Sequence, residues 1–250
     1  MRKIYAKYAA EPLDVSGKQL GVMEIVEDIA YARALVKDDT VYVYLPVRAS
    51  SSLRRELSAK LRQSIAKKLA RNPDAFKQIS EPVFRDGEEV RALGRRFVVH
   101  ITEGFAAKYS RAKLVGEDVF VWLASGVAES DKQKQASRLC RRVIAKSLCN
   151  DINERVEQVN KSSFGATLKK VSIMYARTVW GSCNAKTKTI NLNFVLLFAP
   201  PEVLDYVIIH ELAHMREQNH SKAFWSLVAR AMPDYAKARA WLKKNGSSLG

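Results

Sequence analysis

The sequence predicts a mixed α+β fold in two parts: a strand-rich N-terminal module over residues 1–125, and a module over residues 126–250 with a small sheet and a histidine-bearing helix. Three observations support this. Short runs of β-branched and aromatic residues dominate the first part. Longer segments with apolar residues at helical spacing dominate the second, and Ser125-Gly126 separates the two patterns. A chain of 250 residues can bury a full core as one large domain or two small ones.

The N-terminal module is expected to place strands around one basic helix. Residues 1–20 have no clear periodicity, whereas residues 29–36 and 40–47 are typical of two strands. Ser50 can cap a helix that ends at Asn72-Pro73. The apolar stripe of that helix consists of Leu53, Leu57, Leu61, Ile65 and Leu69.

Strand patterns return between residues 83 and 123. Asp86-Gly87-Glu88 is typical of a turn, and residues 96–101 and 119–123 are typical of strands. His100 lies in the first of these strands, without ligand spacing to any other histidine. It is therefore left out of the expected site.

A single long helix is expected over residues 131–160, with Ser130 as its cap. Cys140 and Cys149 fall at its apolar positions and are expected to be buried thiols. Ser162-Ser163-Phe164-Gly165 ends the helix. One exposed side is expected to be strongly basic, formed by Arg138, Arg141, Arg142 and Lys146.

The last part of the chain predicts two strands followed by helices. Residues 171–175 and 189–193 alternate as strands, with a turn at Trp180-Gly181-Ser182-Cys183 between them. Pro200-Pro201-Glu202 is a favourable helix start, because proline suits the first turn and an acidic residue suits the positive end of the helix dipole. Asp234 is expected to cap the last helix.

Three of the four histidines in the chain fall within eleven positions, in the run His210-Glu211-Leu212-Ala213-His214 and at His220. On a helix, His210 and His214 lie one above the other and can offer ring nitrogens to one metal ion. Glu211 lies about 100° further round the helix, beside the metal, where it can take a proton from a bound water. The motif therefore predicts a metal-activated water with Glu211 as the general base.

His220 can join this pair only if the chain folds back, since six residues would carry it to another face of a continuous helix. Gln218-Asn219 is typical of a turn and Ser221 can cap a new helix, so the chain is expected to break at residues 216–219. Three neutral ligands leave one coordination position open, as in a catalytic zinc site. The alternative is that these are helix-surface histidines that bind no metal.

The amino-acid composition indicates the cellular environment of the protein and the kind of partner it binds. The formal net charge of +16 favours an anionic partner such as nucleic acid, a nucleotide or an acidic membrane surface, although a generally basic proteome would explain it equally well. An odd cysteine count of three, without a disulfide framework, indicates a reducing cytoplasm. No secretory signal and no apolar run of membrane-spanning length is expected.

Several short motifs together resemble one family. They are Trp180-Gly181-Ser182-Cys183, Ile190-Asn191-Leu192-Asn193, Ala199-Pro200, Tyr206-Val207, the histidine motif, Asn219-His220-Ser221 with Phe224-Trp225, and Pro233-Asp234-Tyr235. This set resembles the YgjP-like zinc metallopeptidases, which are related to the WLM and SprT-type zinc proteases. The resemblance covers roughly residues 28 to 244. It implies a zincin-like module over residues 126–250, with Zn²⁺ held by His210, His214 and His220 and with Glu211 as general base and acid.

The favoured prediction is zinc-dependent hydrolysis of a peptide bond in a peptide or protein substrate. Residues 189–193 are the candidate edge strand for an extended substrate, with an interior strand as the alternative. Cys183 is interpreted as structural, and Arg177 and Asn219 are the candidates for oxyanion stabilisation. Two other hypotheses stay open: a zinc phosphohydrolase acting on nucleotides, and a nucleic-acid-associated protease or binding module that uses its basic helices.

Overall fold

The computed structural model describes residues 3–15, 17–37, 39–71 and 78–249. The chain is divided into two compact units, Met1–Gln78 and Ile79–Gly250. This division falls earlier in the chain than the boundary expected near residues 125 and 126. Within the described ranges, no helix combines the length and the apolar character that crossing a membrane requires.

The first unit is a small sheet covered on one face by a basic helix. Its elements are β1 (Ile4–Val15), β2 (Lys18–Glu27), β3 (Arg33–Lys37), β4 (Thr40–Pro46) and α1 (Ser51–Arg71). The strand order is β1-β2-β4-β3, with β2 and β4 parallel and the two outer pairs antiparallel. The buried side chains are Leu20, Val22, Val41, Val43, Leu45 and Ile65.

The strands β3 and β4 and the helix α1 are predicted correctly, but Leu53 of the expected apolar stripe is 44% exposed. Ser50 caps α1 as expected, since its Oγ accepts a hydrogen bond from the backbone N–H of Leu53 at 3.2 Å. The hairpin of β1 and β2 was missed, because many β1 side chains are exposed and its sequence does not alternate clearly. The expected helix end at Asn72-Pro73 lies outside the described residues.

The second unit begins with another sheet, whose strands are β5 (Glu89–Ala92), β6 (Arg95–Phe105), β7 (Arg111–Val115) and β8 (Asp118–Ala124). The expected strands at 96–101 and 119–123 are confirmed as β6 and β8. This sheet shares one buried core with the helices that follow; Phe97, Val121 and Cys140 all belong to it. That shared core explains why the units do not divide at residue 125.

The two units repeat one topology. The order β5-β6-β8-β7 has the same parallel and antiparallel pairings as β1-β2-β4-β3. Arg33 pairs with Tyr44 in the first sheet, and Arg111 pairs with Trp122 at the matching place in the second. Each arginine also lies over that ring, at 4.4 Å and 5.2 Å from the centroid.

The helix that follows each sheet repeats as well. Residues 58–69 and 137–148 are identical at six of twelve positions when aligned without a gap. Ser58 and Ser137 are both buried, at 3% and 2% exposure. Ile65 and Ile144 also match and are buried. The chain therefore contains two sheet-and-helix units built on the same plan.

The long helix expected over residues 131–160 is two helices, α2 (Glu129–Ser147) and α3 (Cys149–Ser163). The chain bends at Leu148, whose φ and ψ are −94° and 4°. Leu148 is fully buried, and the apolar spacing continues through it, so the sequence pattern gives no sign of the bend. Cys140 is buried as predicted, whereas Cys149 is only half-buried.

A small sheet with order β10-β11-β9 lies beside the remaining helices. It consists of β9 (Lys170–Met174), β10 (Gly181–Asn184) and β11 (Thr189–Asn193). β11 is parallel to β9 and antiparallel to β10, so the prediction of β11 as an edge strand was wrong. The predicted turn at residues 180–183 was also wrong. Gly-Ser-Cys-Asn has weak strand propensity, but pairing with β11 holds it extended.

The C-terminal helices follow a short 3-10 helix at Phe194–Phe198. They are α4 (Pro201–Ala213), α5 (Lys222–Ala231) and α6 (Tyr235–Asn245). All three start where the sequence predicts, with Pro201 at the first position of α4. Asp234 precedes α6 as expected, but its side chain makes no capping hydrogen bond. The fold is therefore mixed α+β, as the sequence predicts.

Candidate metal centre

α4 brings the first two histidines of the motif to one end of a buried helix. Its apolar residues Val203, Val207 and Ile208 are buried, which fixes its orientation in the core. His210 and Glu211 lie in its last turn, and His214 is the C-cap residue. Helical spacing therefore places the two imidazole rings together, with centroids 5.0 Å apart.

The third histidine comes from the chain reversal after α4. The backbone N–H groups of Met215, Arg216 and Glu217 still bond to carbonyls of residues 212–213, after which the helix ends. Ser221 then caps α5, accepting a hydrogen bond from the N–H of Phe224 at 3.2 Å. His220 is thereby held next to a fixed helix start. The predicted break is present, but it begins after Ala213, earlier than the expected residues 216–219.

The three histidines converge on one point. One ring nitrogen from each of His210, His214 and His220 lies within 4.8 Å of the other two. Nε2 of His220 lies 3.0 Å from Nε2 of His210. Two nitrogens bound to one tetrahedral zinc at about 2.0–2.1 Å would be roughly 3.3 Å apart. The donor set and its spacing therefore fit a divalent metal such as zinc.

Hydrogen bonding and burial favour the ligand form of these rings. Nδ1 of His214 lies 3.0 Å from the carbonyl oxygen of Glu217, which leaves Nε2 free to face the cluster. Burial, followed by the nearby His214, His220 and Arg239, lowers the pKa of His210 to about 3. Burial also lowers the pKa of His220, with contributions from His214 and Arg239. Neutral imidazoles are the form that binds a metal.

Glu211 lies beside the histidines in an apolar environment. It is only 5% exposed, and this burial raises the pKa of its carboxyl group to about 7. The backbone of Gly181 passes so close that a Cβ on Gly181 would lie 2.7 Å from Oε1 of Glu211. Glu211 is therefore held between α4 and β10, with a proton affinity suited to exchange near neutral pH.

The histidines and Glu211 open into a cavity of about 470 Å³. Its lining includes residues 179–183, which contain most of β10, together with residues of α4 and α6. The remaining lining residues include Tyr206, Val207, Gln218 and Leu242. Aromatic rings continue beyond the cavity, since Tyr235 stacks on both Tyr206 and Trp225.

Cys183 lines this cavity without joining the histidine cluster. Its Sγ donates to the sulfur of Met215 at 3.3 Å. Burial, with a contribution from Glu211, raises the thiol pKa to about 11. These contacts agree with its interpretation as a structural residue.

The other residues considered from the sequence lie elsewhere. His100 bonds to Asp118 at 2.7 Å and stacks on Phe120, so its exclusion from the cluster is confirmed. Arg177 lies 3.5 Å from a carboxylate oxygen of Glu81 and does not line the cavity. Tyr206 lines the cavity one turn before His210. The family motifs include Tyr206-Val207, but the site predicted from the sequence leaves Tyr206 out.

Comparison with known proteins places the chain in a family. The family model described as YgjP-like, metallopeptidase domain, matches residues 30–245. This chain belongs to the YgjP-like family, as its motifs predict. The metallopeptidase domain is that of a hydrolase and implies a divalent metal, so the class of protein agrees with the geometry of the site.

Two individual proteins are similar over shorter lengths. The UTP pyrophosphatase of Escherichia coli (strain K12) is 35% identical over 71 residues, which are 27% of this chain and 42% of that protein. The match therefore spans less than half of this relative. A crystal structure of the metallopeptidase zymogen abylysin from Pyrococcus abyssi aligns at 25% identity with a TM-score of 0.34, covering 38% of this chain and 95% of that one.

Proposed function

We propose that this chain is a zinc-dependent metallopeptidase that cleaves peptide bonds with His210, His214 and His220 as metal ligands. The convergence of three ring nitrogens beside a buried glutamate is the observation that carries this proposal. A zinc ion at these nitrogens would supply a Lewis acid and a bound water with a pKa near 7. The family description supports the peptidase class.

Residues of this chain would carry out proton transfer, substrate binding and the exclusion of water. Glu211 would accept a proton from the attacking water and pass it to the leaving amine. β10 is the candidate strand for holding an extended peptide, because among the described strands it pairs only with β11 and it lines the cavity. The apolar walls around Glu211 would limit the access of other water molecules.

Two variants test the proposal. His214→Ala should lose most of the bound metal, measured as zinc content after purification. Glu211→Gln should keep its metal, while hydrolysis of an unstructured protein falls by about 10²–10⁴-fold, because the proton acceptor is gone. Glu202→Gln is the matched control, since it removes the same charge from the exposed first turn of α4. Full activity in metal-loaded Glu211→Gln would exclude this mechanism.

A second candidate is a metal-dependent phosphohydrolase acting on nucleotides. It is favoured by the name of the partially matching relative, a UTP pyrophosphatase, and by the net charge of +16. Metal-loaded protein would be incubated with UTP and, separately, with unstructured protein. Glu211-dependent release of pyrophosphate without cleavage of protein would replace the peptidase proposal by this one.

Association with nucleic acid through the basic helices stays a prediction, and none of the comparisons supports it. The structure also removes one residue from the exposed basic side that the sequence predicts for α2. Arg141 is largely buried, with its side chain 12% exposed, and it pairs with Glu81 at 2.8 Å. Arg138, Arg142 and Lys146 remain exposed. Retention on DNA at low salt, lost steeply as salt rises, would support the prediction.

A further inference from the structure

Arg239 on α6 lies near the histidine cluster. Its side chain is exposed, and its guanidinium carbon lies 4.7 Å from the ring centroid of Trp225. The Trp225 ring lies 5.9 Å from the His220 ring and 6.0 Å from the His210 ring, between centroids. Within the part of the chain that the structure describes, no carboxylate forms an ion pair with Arg239.

The position of Arg239 on its helix directs it to the edge of the cavity. Tyr235, Arg239 and Leu242 are spaced by four and three residues, so they share one face of α6. Leu242 lines the cavity, and Tyr235 stacks on Trp225 at 5.5 Å between ring centroids. Arg239 therefore lies between a residue that lines the cavity and one that packs on its aromatic border.

The positive charge of Arg239 lies close to the histidine cluster. The Trp225 ring under its guanidinium lies 5.9 Å from the His220 ring and 6.0 Å from the His210 ring, so the cation lies close to the proposed metal ligands. A cation beside these ligands would also repel a bound metal dication. An anion placed between the two positive charges would convert this repulsion into attraction on both sides.

We propose that Arg239 binds an anionic group of the substrate, a carboxylate or a phosphate, beside the reaction centre. A guanidinium matches two oxygens of such a group with parallel hydrogen bonds, and stacking on Trp225 would hold its plane in place. The metal part of this inference rests on the proposed function. A peptide would supply its C-terminal carboxylate, and a nucleotide would supply a phosphate.

The test measures the binding of inorganic phosphate by calorimetry, on the full chain in its metal-free and zinc-loaded forms. Arg239→Gln should weaken phosphate binding at least 10-fold, whereas Arg239→Lys, which keeps the charge, should retain part of it. Arg230→Gln is the matched control, because this exposed arginine of α5 carries the same charge. It should bind phosphate like the wild type, since among the described residues the cation that lies over the Trp225 ring is Arg239.

Two further ligand pairs identify the source of the anion. A short peptide with a free C-terminal carboxylate is compared with its amide, and a nucleoside triphosphate is compared with its nucleoside. An Arg239-dependent preference within the first pair assigns a peptide carboxylate, and one within the second pair assigns a phosphate. No Arg239-dependent difference in either pair overturns the inference.

The outcomes separate this inference from the proposed function. Undiminished phosphate binding in Arg239→Gln overturns the inference even if zinc binds normally, and so does a wild type that binds no phosphate in either form. If the wild type takes up no zinc but Arg239→Gln still weakens phosphate binding, the inference stands and the metallopeptidase proposal fails.

Discussion

At the residue scale, Gly181 leaves no room for a side chain beside Glu211. A Cβ there would lie 2.7 Å from Oε1 and 2.8 Å from Cγ of Glu211. We expect Gly181→Ala to displace the Glu211 carboxylate and lower hydrolytic activity by at least about 10-fold, since misplaced catalytic groups lose much of their effect. Zinc content should stay unchanged, because the histidines are not displaced.

Gly126→Ala is the matched control, since a Cβ at Gly126 would meet no atom within 4 Å. It should retain wild-type activity on the same substrate. Equal activities in the two variants would show that the contact between β10 and Glu211 is not needed for function.

The sequence alone is sufficient to predict the histidine cluster, because helical spacing determines where His210 and His214 point. It cannot reveal Gly181 or Arg239 as neighbours of that cluster. Gly181 reaches Glu211 only through the pairing of β10 with β11. Arg239 lies near the cluster only because α6 packs on α4, and no local sequence pattern predicts that packing.

At the element scale, the start of α5 determines where the third histidine lies. We expect Ser221→Ala to cost about 1 kcal/mol of local stability, because the capping bond to the N–H of Phe224 is lost. His220 precedes this cap directly, so zinc affinity should fall about 3- to 10-fold in a competition titration with a chelating dye.

Ser130→Ala provides the comparison for this variant. Ser130 is exposed in the first turn of α2, which begins at Glu129 without a side-chain capping bond, so the cap expected at Ser130 from the sequence is absent. Zinc affinity should be unaffected by this change. If both serine variants bind zinc equally well, capping of α5 does not position His220.

Element types were more predictable from the sequence than pairings and bends. α4 has proline at its first position, buried apolar residues and an acidic first turn, and each of these signals is local. β10 consists of residues that suit a turn equally well, so only its partner β11 determines its conformation. The bend at Leu148 could not be predicted, because no glycine or proline lies there in the sequence.

At the scale of the whole molecule, the two units carry the same sheet-and-helix plan but separate cores. Ile65 and Ile144 occupy matching helix positions, and they belong to different clusters of buried residues. The histidine helix α4 shares its core with Ile144, since Leu204 and Leu212 are in the same cluster. Metal binding should therefore depend on the stability of the second unit.

This division predicts different effects from the same substitution in the two units. Ile144→Ala should destabilise the second unit by about 2–5 kcal/mol, as expected for a large-to-small change in a packed core, and should lower the temperature at which zinc is released. Ile65→Ala should destabilise the first unit alone and leave zinc release unchanged. Heating both variants with a zinc-sensitive dye, while following circular dichroism, measures the two events together. Early zinc release from Ile65→Ala would show that the first unit stabilises the metal centre, in spite of its separate core.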